Sequence, residues 1–145
     1  MKYLSLVVLL FVFGCSNNKE KASIADDDVE WKEMDEFHEV MADVYHPLKD
    51  SNNLEAIKRD APKLTIAAEK WAQSVIPEKV NNDETKELLA NLEDGCQQLK
   101  QLVNDNASDE EIAAKLTAQH ETFHTIMENF YRAGKEEGAE EHHDH

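Results

Sequence analysis

Three of the seven histidines, His38, His120 and His124, fall at helical spacing among methionines, with Met34 and Met41 flanking the first and Met127 following the last. Histidines at i and i+4 on one helix can turn their ring nitrogens toward a single ion, and a third imidazole from a facing helix would make three ligands. A nearby thioether such as Met41 would favour a soft ion, Cu(I), whereas imidazole with a carboxylate from Asp35, Glu39 or Glu121 suits Zn, Cu(II) or Ni. The expected metal set is therefore His38, His120 and His124, with Met41 as a candidate fourth ligand. The plainer alternative makes His38 and His120 satisfied core residues and the methionines gap-fillers.

These residues meet only if the chain brings the start of one helix beside the end of another. Four amphipathic stretches with short polar breaks, and no run of alternating apolar residues, predict an all-α fold. The first stretch, about 29–49, repeats Met34, His38, Met41, Tyr45 and Leu48, with Phe37, Val40 and Val44 alongside. Asp26, Asp27 and Asp28 stand at its start, where they suit the helix dipole. Pro47 should bend or end it.

The second stretch, about 54–76, places Leu54, Ile57, Ala61, Leu64, Ala68, Trp71 and Val75 on one face, with Asn52 and Asn53 as its cap and a kink or late start expected at Pro62. Pro77 closes it. The third begins near Asp83 and carries Leu88, Leu89, Leu92, Cys96, Leu99, Leu102 and Val103. Ser108 and Glu111 form a capping box for the fourth, which shows Ile112, Leu116, His120, Phe123, Met127 and Phe130 and is expected to end near Gly134. Breaks this short predict an antiparallel up-down-up-down four-helix bundle over 29–134. In that topology His38, about three turns into the first helix, and His124, about three turns before the end of the fourth, come to a similar height.

The stretch Leu116 to His124, ending Glu121-Thr122-Phe123-His124, resembles the histidine-bearing segment of the soluble periplasmic b-type cytochromes of the cytochrome b562 family, and His38 is in register with that family's methionine ligand. The resemblance spans about Met34 to Tyr131 and is one of architecture more than identity. It implies a haem b held between His38 and His124 and a role in electron transfer. A histidine in place of the methionine would make that haem bis-histidine, with a lower potential. Leu88 and Leu92 stand where the family has pocket phenylalanines, and His120 stands where it is basic. There is no Cys-x-x-Cys-His, so covalent haem attachment is excluded.

Around the bundle, Lys2 and the apolar run Leu4 to Phe13 read as a signal peptide over 1–14. Val12-Phe13-Gly14-Cys15 resembles a bacterial lipobox, which implies lipidation of Cys15. Residues 15–28 read as a polar tether that would hold the domain near a membrane without itself touching lipid. The lipid anchor places the protein in the cell envelope, with the outer membrane expected, facing the periplasm or cell surface. Residues 135–145, ending His142-His143-Asp144-His145, read as a disordered acidic, His-rich tail.

The formal charge of −16, from 31 acidic against 15 basic residues, repels phosphate-rich partners and sets nucleic acid aside. With Cys15 lipidated, Cys96 is left alone and reads as a small buried hydrophobe. No phosphate-cradling loop or nucleophile elbow is visible. The expected function is non-enzymatic: buffering or delivery of a transition ion (Zn, Cu or Ni). The alternatives are a b-type haem electron carrier and a cofactor-free adaptor for a partner protein.

Overall fold

The computed structural model describes residues 30–140, with side chains described to residue 135. The described part is all-α, with four helices: α1 (Lys32–Ser51), α2 (Glu55–Ala72), α3 (Asp83–Asn104) and α4 (Asp109–Glu140). The segment 1–29, which includes Cys15, the lipobox and the aspartates expected at the first helix start, lies outside the described residues, as does 141–145.

Local chemistry sets the helix boundaries. Trp31 precedes α1 without a side-chain cap bond. Pro47 sits in the last turns of α1, which runs on to Ser51. There Asn52 turns left-handed at φ 56° and donates its N–H to the Leu48 carbonyl, while Asn53 donates to Pro47. Asn52 thus closes α1 rather than opening α2, because asparagine tolerates the left-handed conformation that ends a helix. Asn53 alone serves α2, its Oδ1 accepting from the Glu55 N–H at 2.9 Å.

Pro62 lies inside α2 and delays neither its start at Glu55 nor its run to Ala72. The helix ends four residues before the expected Ile76, with the Ser74 hydroxyl donating to the Trp71 carbonyl. Val75, expected on the apolar face, is therefore beyond the helix and 90% exposed. The connection to α3 holds a single 3-10 turn, Glu78–Val80, and Asn82 caps α3 by accepting from the Thr85 N–H at 2.9 Å. The capping box of α4 forms as the sequence indicates, with the Ser108 N–H donating to Glu111 Oε2 at 3.1 Å and the Glu111 N–H donating to Ser108 Oγ at 3.3 Å. Helix α4 does not stop at Gly134. No glycine among the described residues takes a positive φ, and the run Lys135 to Glu140 is rich in helix-forming residues, so the helix continues through part of the expected tail.

Contacts run in opposite order between α1 and α4, between α1 and α2, and between α3 and α4. Trp31 meets Phe130 and Phe37 meets Phe123 between α1 and α4. Glu36 pairs with Lys70 and Asp43 with Lys63 between α1 and α2. Gln98 accepts from Lys115 between α3 and α4, where Gly95 faces Gln119 four residues further along. One core joins all four helices, from Trp31, Phe37 and Met41 on α1 and its entry, through Leu64 and Trp71, to Leu92, Cys96 and Leu99, and to Leu116, Phe123 and Phe130. Its aromatic half is Trp31, Phe37, Trp71, Phe123 and Phe130, with neighbouring ring centroids 5.3 to 6.0 Å apart. Each such ring buries roughly 150–250 Å² of surface. That cluster fixes α1 against α4 and so sets the height at which their histidines meet.

Candidate functional site

On α4 the residues Ile112, Leu116, Phe123, Ile126 and Phe130 face the core, and His120 and His124 stand on the flank toward α1, each half-buried. Their Nε2 atoms are 3.1 Å apart and their rings meet edge to face, with centroids at 4.4 Å. Two nitrogens bound at about 2.0–2.1 Å to one ion, and separated by this distance, subtend about 100° at the metal, between octahedral and tetrahedral values. Without an ion the same separation is that of a hydrogen bond between the rings, the tautomers setting which one donates.

Tyr45 on α1 lies flat on His120, with centroids 3.7 Å apart and planes 13° from parallel. One turn higher on α4, His38 lies over the core ring of Phe123 at 5.0 Å and 16°. The structure therefore brings His38, His120 and His124 to one seam, but only the α4 pair touches nitrogen to nitrogen. His38 is exposed at the edge of the seam. Among the described residues no three His, Cys, Asp or Glu side chains stand together as a ready set of ligands.

His120 is held neutral. Burial first, then the charges of His124, His46, Lys49 and His38, push the His120 imidazole down to about 4. A neutral ring keeps the lone pair that a metal needs, so at neutral pH no proton has to leave His120 before an ion binds.

Met41 is fully buried and Met34 is 2% exposed, both within the core of α1. The seam's solvent edge is thus lined by imidazoles, while these two thioethers point inward. Glu39 and Glu121 are exposed and Asp35 half-buried, and no carboxylate is among the groups whose charge acts on His120. Cys96 is buried, and desolvation pushes its thiol up to about 12, so it stays protonated and inert.

A haem between His38 and His124 does not fit these residues. The interior at their height is filled by Phe37, Trp71 and Phe123, packed ring to ring at 5.4 to 6.0 Å and each no more than 1% exposed. His38 lies outside that cluster, across the ring of Phe123 from the interior a macrocycle would need.

One member of the seam escapes sequence reasoning. Tyr45 reads as one more core residue in the four-three repeat, yet its ring covers His120. Compared with protein-family models, curated proteins and solved structures, the chain has no match. No helix among the described residues is long and apolar enough to cross a membrane.

Proposed function

We propose that this protein binds a transition metal ion at the α1–α4 seam, with His120 and His124 as the chelating pair and His38 joining from α1. The observation that carries this reading is the 3.1 Å separation of the two Nε2 atoms, which matches the bite of a two-histidine chelate. The neutral state of His120 and the ring of Tyr45 stacked on it supply a ligand that is deprotonated and already oriented. Half-exposure of the pair leaves positions open to solvent, which suits an ion that is taken up and passed on. The role is non-enzymatic buffering or delivery. With lipidation at Cys15 the bundle would do this from an anchor in the cell envelope, the outer membrane being the expected one, on its periplasmic or outer face.

The test is calorimetric titration of Zn(II), Cu(II) and Ni(II) into the full chain with His142→Ala, His143→Ala and His145→Ala, so that terminal histidines do not contribute. Saturable binding at one ion per chain is expected, and His120→Ala or His124→Ala should remove it. Bound ion should also raise the unfolding midpoint, since a ligand selective for the folded state stabilises it by about 2.7 kcal/mol at one hundred times its Kd. Absence of binding and of stabilisation would leave the cofactor-free adaptor as the better reading.

A further inference from the structure

We propose that the groove between α3 and α4 is a docking site for a partner protein, which lays a cationic amphipathic helix into it. The groove has a volume of about 620 Å³, is open to solvent and is lined mostly by apolar surface. Leu102 on α3 and Ala114 and Ala118 on α4 form its apolar part, with Gln98 and Gln101 on one wall and Lys115 on the other. Leu102 is half-buried, whereas both alanines are exposed. Ala114 and Ala118 stand one turn apart on the same face of α4. Side chains this short let a further helix approach at the near end of the interaxial range of about 8–10 Å. An open groove does not cover a small molecule on most sides, as a ligand pocket does. The described residues hold no strand edge to which an extended peptide could add, so a helix in the groove is the mode that fits. None of the lining residues belongs to the α1–α4 seam, and docking here does not depend on metal binding.

Charge sets the sign of the partner. The cations of α2 are already matched, Lys58 with Asp109, Arg59 with Asp60, Lys63 with Asp43 and Lys70 with Glu36. No ion pair among the described residues crosses from α3 to α4. Glu111 lies in the groove wall, and the exposed Asp94 and Asp105 stand one turn from Gln98 and Gln101 along α3. Glu111 and Asp105 accept hydrogen bonds from Ser108 and Gln101, uncharged donors that leave their charge uncompensated. Lys115, the cation in the groove lining, donates to Gln98 Oε1 at 2.6 Å instead of pairing with a carboxylate. An apolar floor between unpaired carboxylates is complementary to a helix whose apolar stripe is flanked by Lys or Arg. A second copy of this chain would bring a formal charge of −16 and be repelled.

The experiment uses the full chain and, as probe, a synthetic Leu/Lys amphipathic peptide of about five helical turns, followed by amide NMR shifts and calorimetry. One peptide per chain is expected, with shifts centred on residues 98–118. Ala118→Gln blocks the floor without changing charge and should weaken binding at least about tenfold. Asp94→Asn together with Asp105→Asn should weaken it about twofold to fivefold at low salt. The same peptide with Glu in place of Lys should not bind. All three substitutions alter exposed side chains, and circular dichroism matching the parent checks that the variants fold. Affinity indifferent to Ala118→Gln, or shifts spread over α1 and α2, would overturn the assignment, because attraction to net charge alone gives that result. Equal binding of the Glu peptide would overturn it too, as would a dimer in sedimentation that Ala118→Gln dissociates, since a second copy would then cover the groove. Absence of peptide binding would remove the docking site and leave the His120–His124 site standing.

Discussion

The side chain of Gln119 on α4 occupies the space that Gly95 on α3 leaves by having no Cβ. A Cβ built at residue 95 would stand 2.1 Å from Gln119 Oε1, and that oxygen is buried without a hydrogen-bond partner. Glycine inside a helix costs about 1 kcal/mol against alanine, so its place here answers a close approach rather than a helical preference. The atoms in the way are the far end of a flexible side chain, so Gly95→Ala should displace the Gln119 amide and leave stability within about 1 kcal/mol of the parent, repacking offsetting the gain in helix propensity. Adding Gln119→Ala should release that gain, because it removes both the clash and the unpartnered oxygen. Denaturant midpoints of the two single variants and the double variant should give a coupling well outside additivity. Additive effects would mean that the two residues do not share the space.

The state of His120 predicts how acid acts on the fold. Its ring titrates near 6.5 when unfolded and is pushed down to about 4 in the bundle, first by burial and then by the neighbouring positive charges. Between those values the unfolded chain holds more protons, so stability falls as pH drops from about 6.5 to about 4 and loses nothing further from this group below that. Allowing for solvent at a half-exposed position, the effect is on the order of 1 kcal/mol. His120→Gln should flatten this part of the curve. Thermal midpoints of the two proteins between pH 7 and 4 are to be compared as a difference, since carboxylates contribute to both. Parallel curves would refute the assignment.

How much of this was legible in the sequence depends on what kind of information each feature needs. The capping box at Ser108 and Glu111 is local, and one stretch of sequence carries it. The end of α2 was not legible in the same way, because the apolar repeat continues through Val75 although the backbone turns after Ala72. On α1 two apolar stripes share Met34, Met41 and Leu48. One continues through His38 and Tyr45, the other through Phe37 and Val44. The fold buries the second, whose members are wholly apolar, and rotates His38 and Tyr45 to its edge. That rotation separates the imidazoles from the thioethers, which spacing alone placed together.

Lys49 should oppose any cation at the seam. Its ammonium is exposed, and its charge already acts on His120. A divalent ion there would feel the same repulsion, worth a few tenths to about 1 kcal/mol across solvent. Lys49→Gln should tighten Ni(II) or Zn(II) binding about twofold to fivefold at low salt. The gain should shrink as added salt screens the charge, the screening length falling to about 3 Å at 1 M. Calorimetric titrations at two salt concentrations measure both effects. A Lys49→Gln variant that binds no more tightly at low salt would place the ion away from this end of the seam.

The packing of the aromatic core sets a last expectation. Haem between α1 and α4 would have to displace Phe37, Trp71 and Phe123, whose rings touch one another and are sealed from solvent. Burying a ring of this kind contributes roughly 1.5–3 kcal/mol, and aromatic pairs add about 0.5–1.5 kcal/mol beyond their area. Expelling three together would consume much of the 5–15 kcal/mol by which a domain is stable. The folded chain should accordingly show no saturable one-to-one Soret shift on titration with haemin. Any absorbance change should be weak and indifferent to His38→Ala and His124→Ala. A sharp one-to-one Soret band lost in both variants would show instead that the aromatic cluster opens, and would move the site from the edge of the seam to the bundle interior.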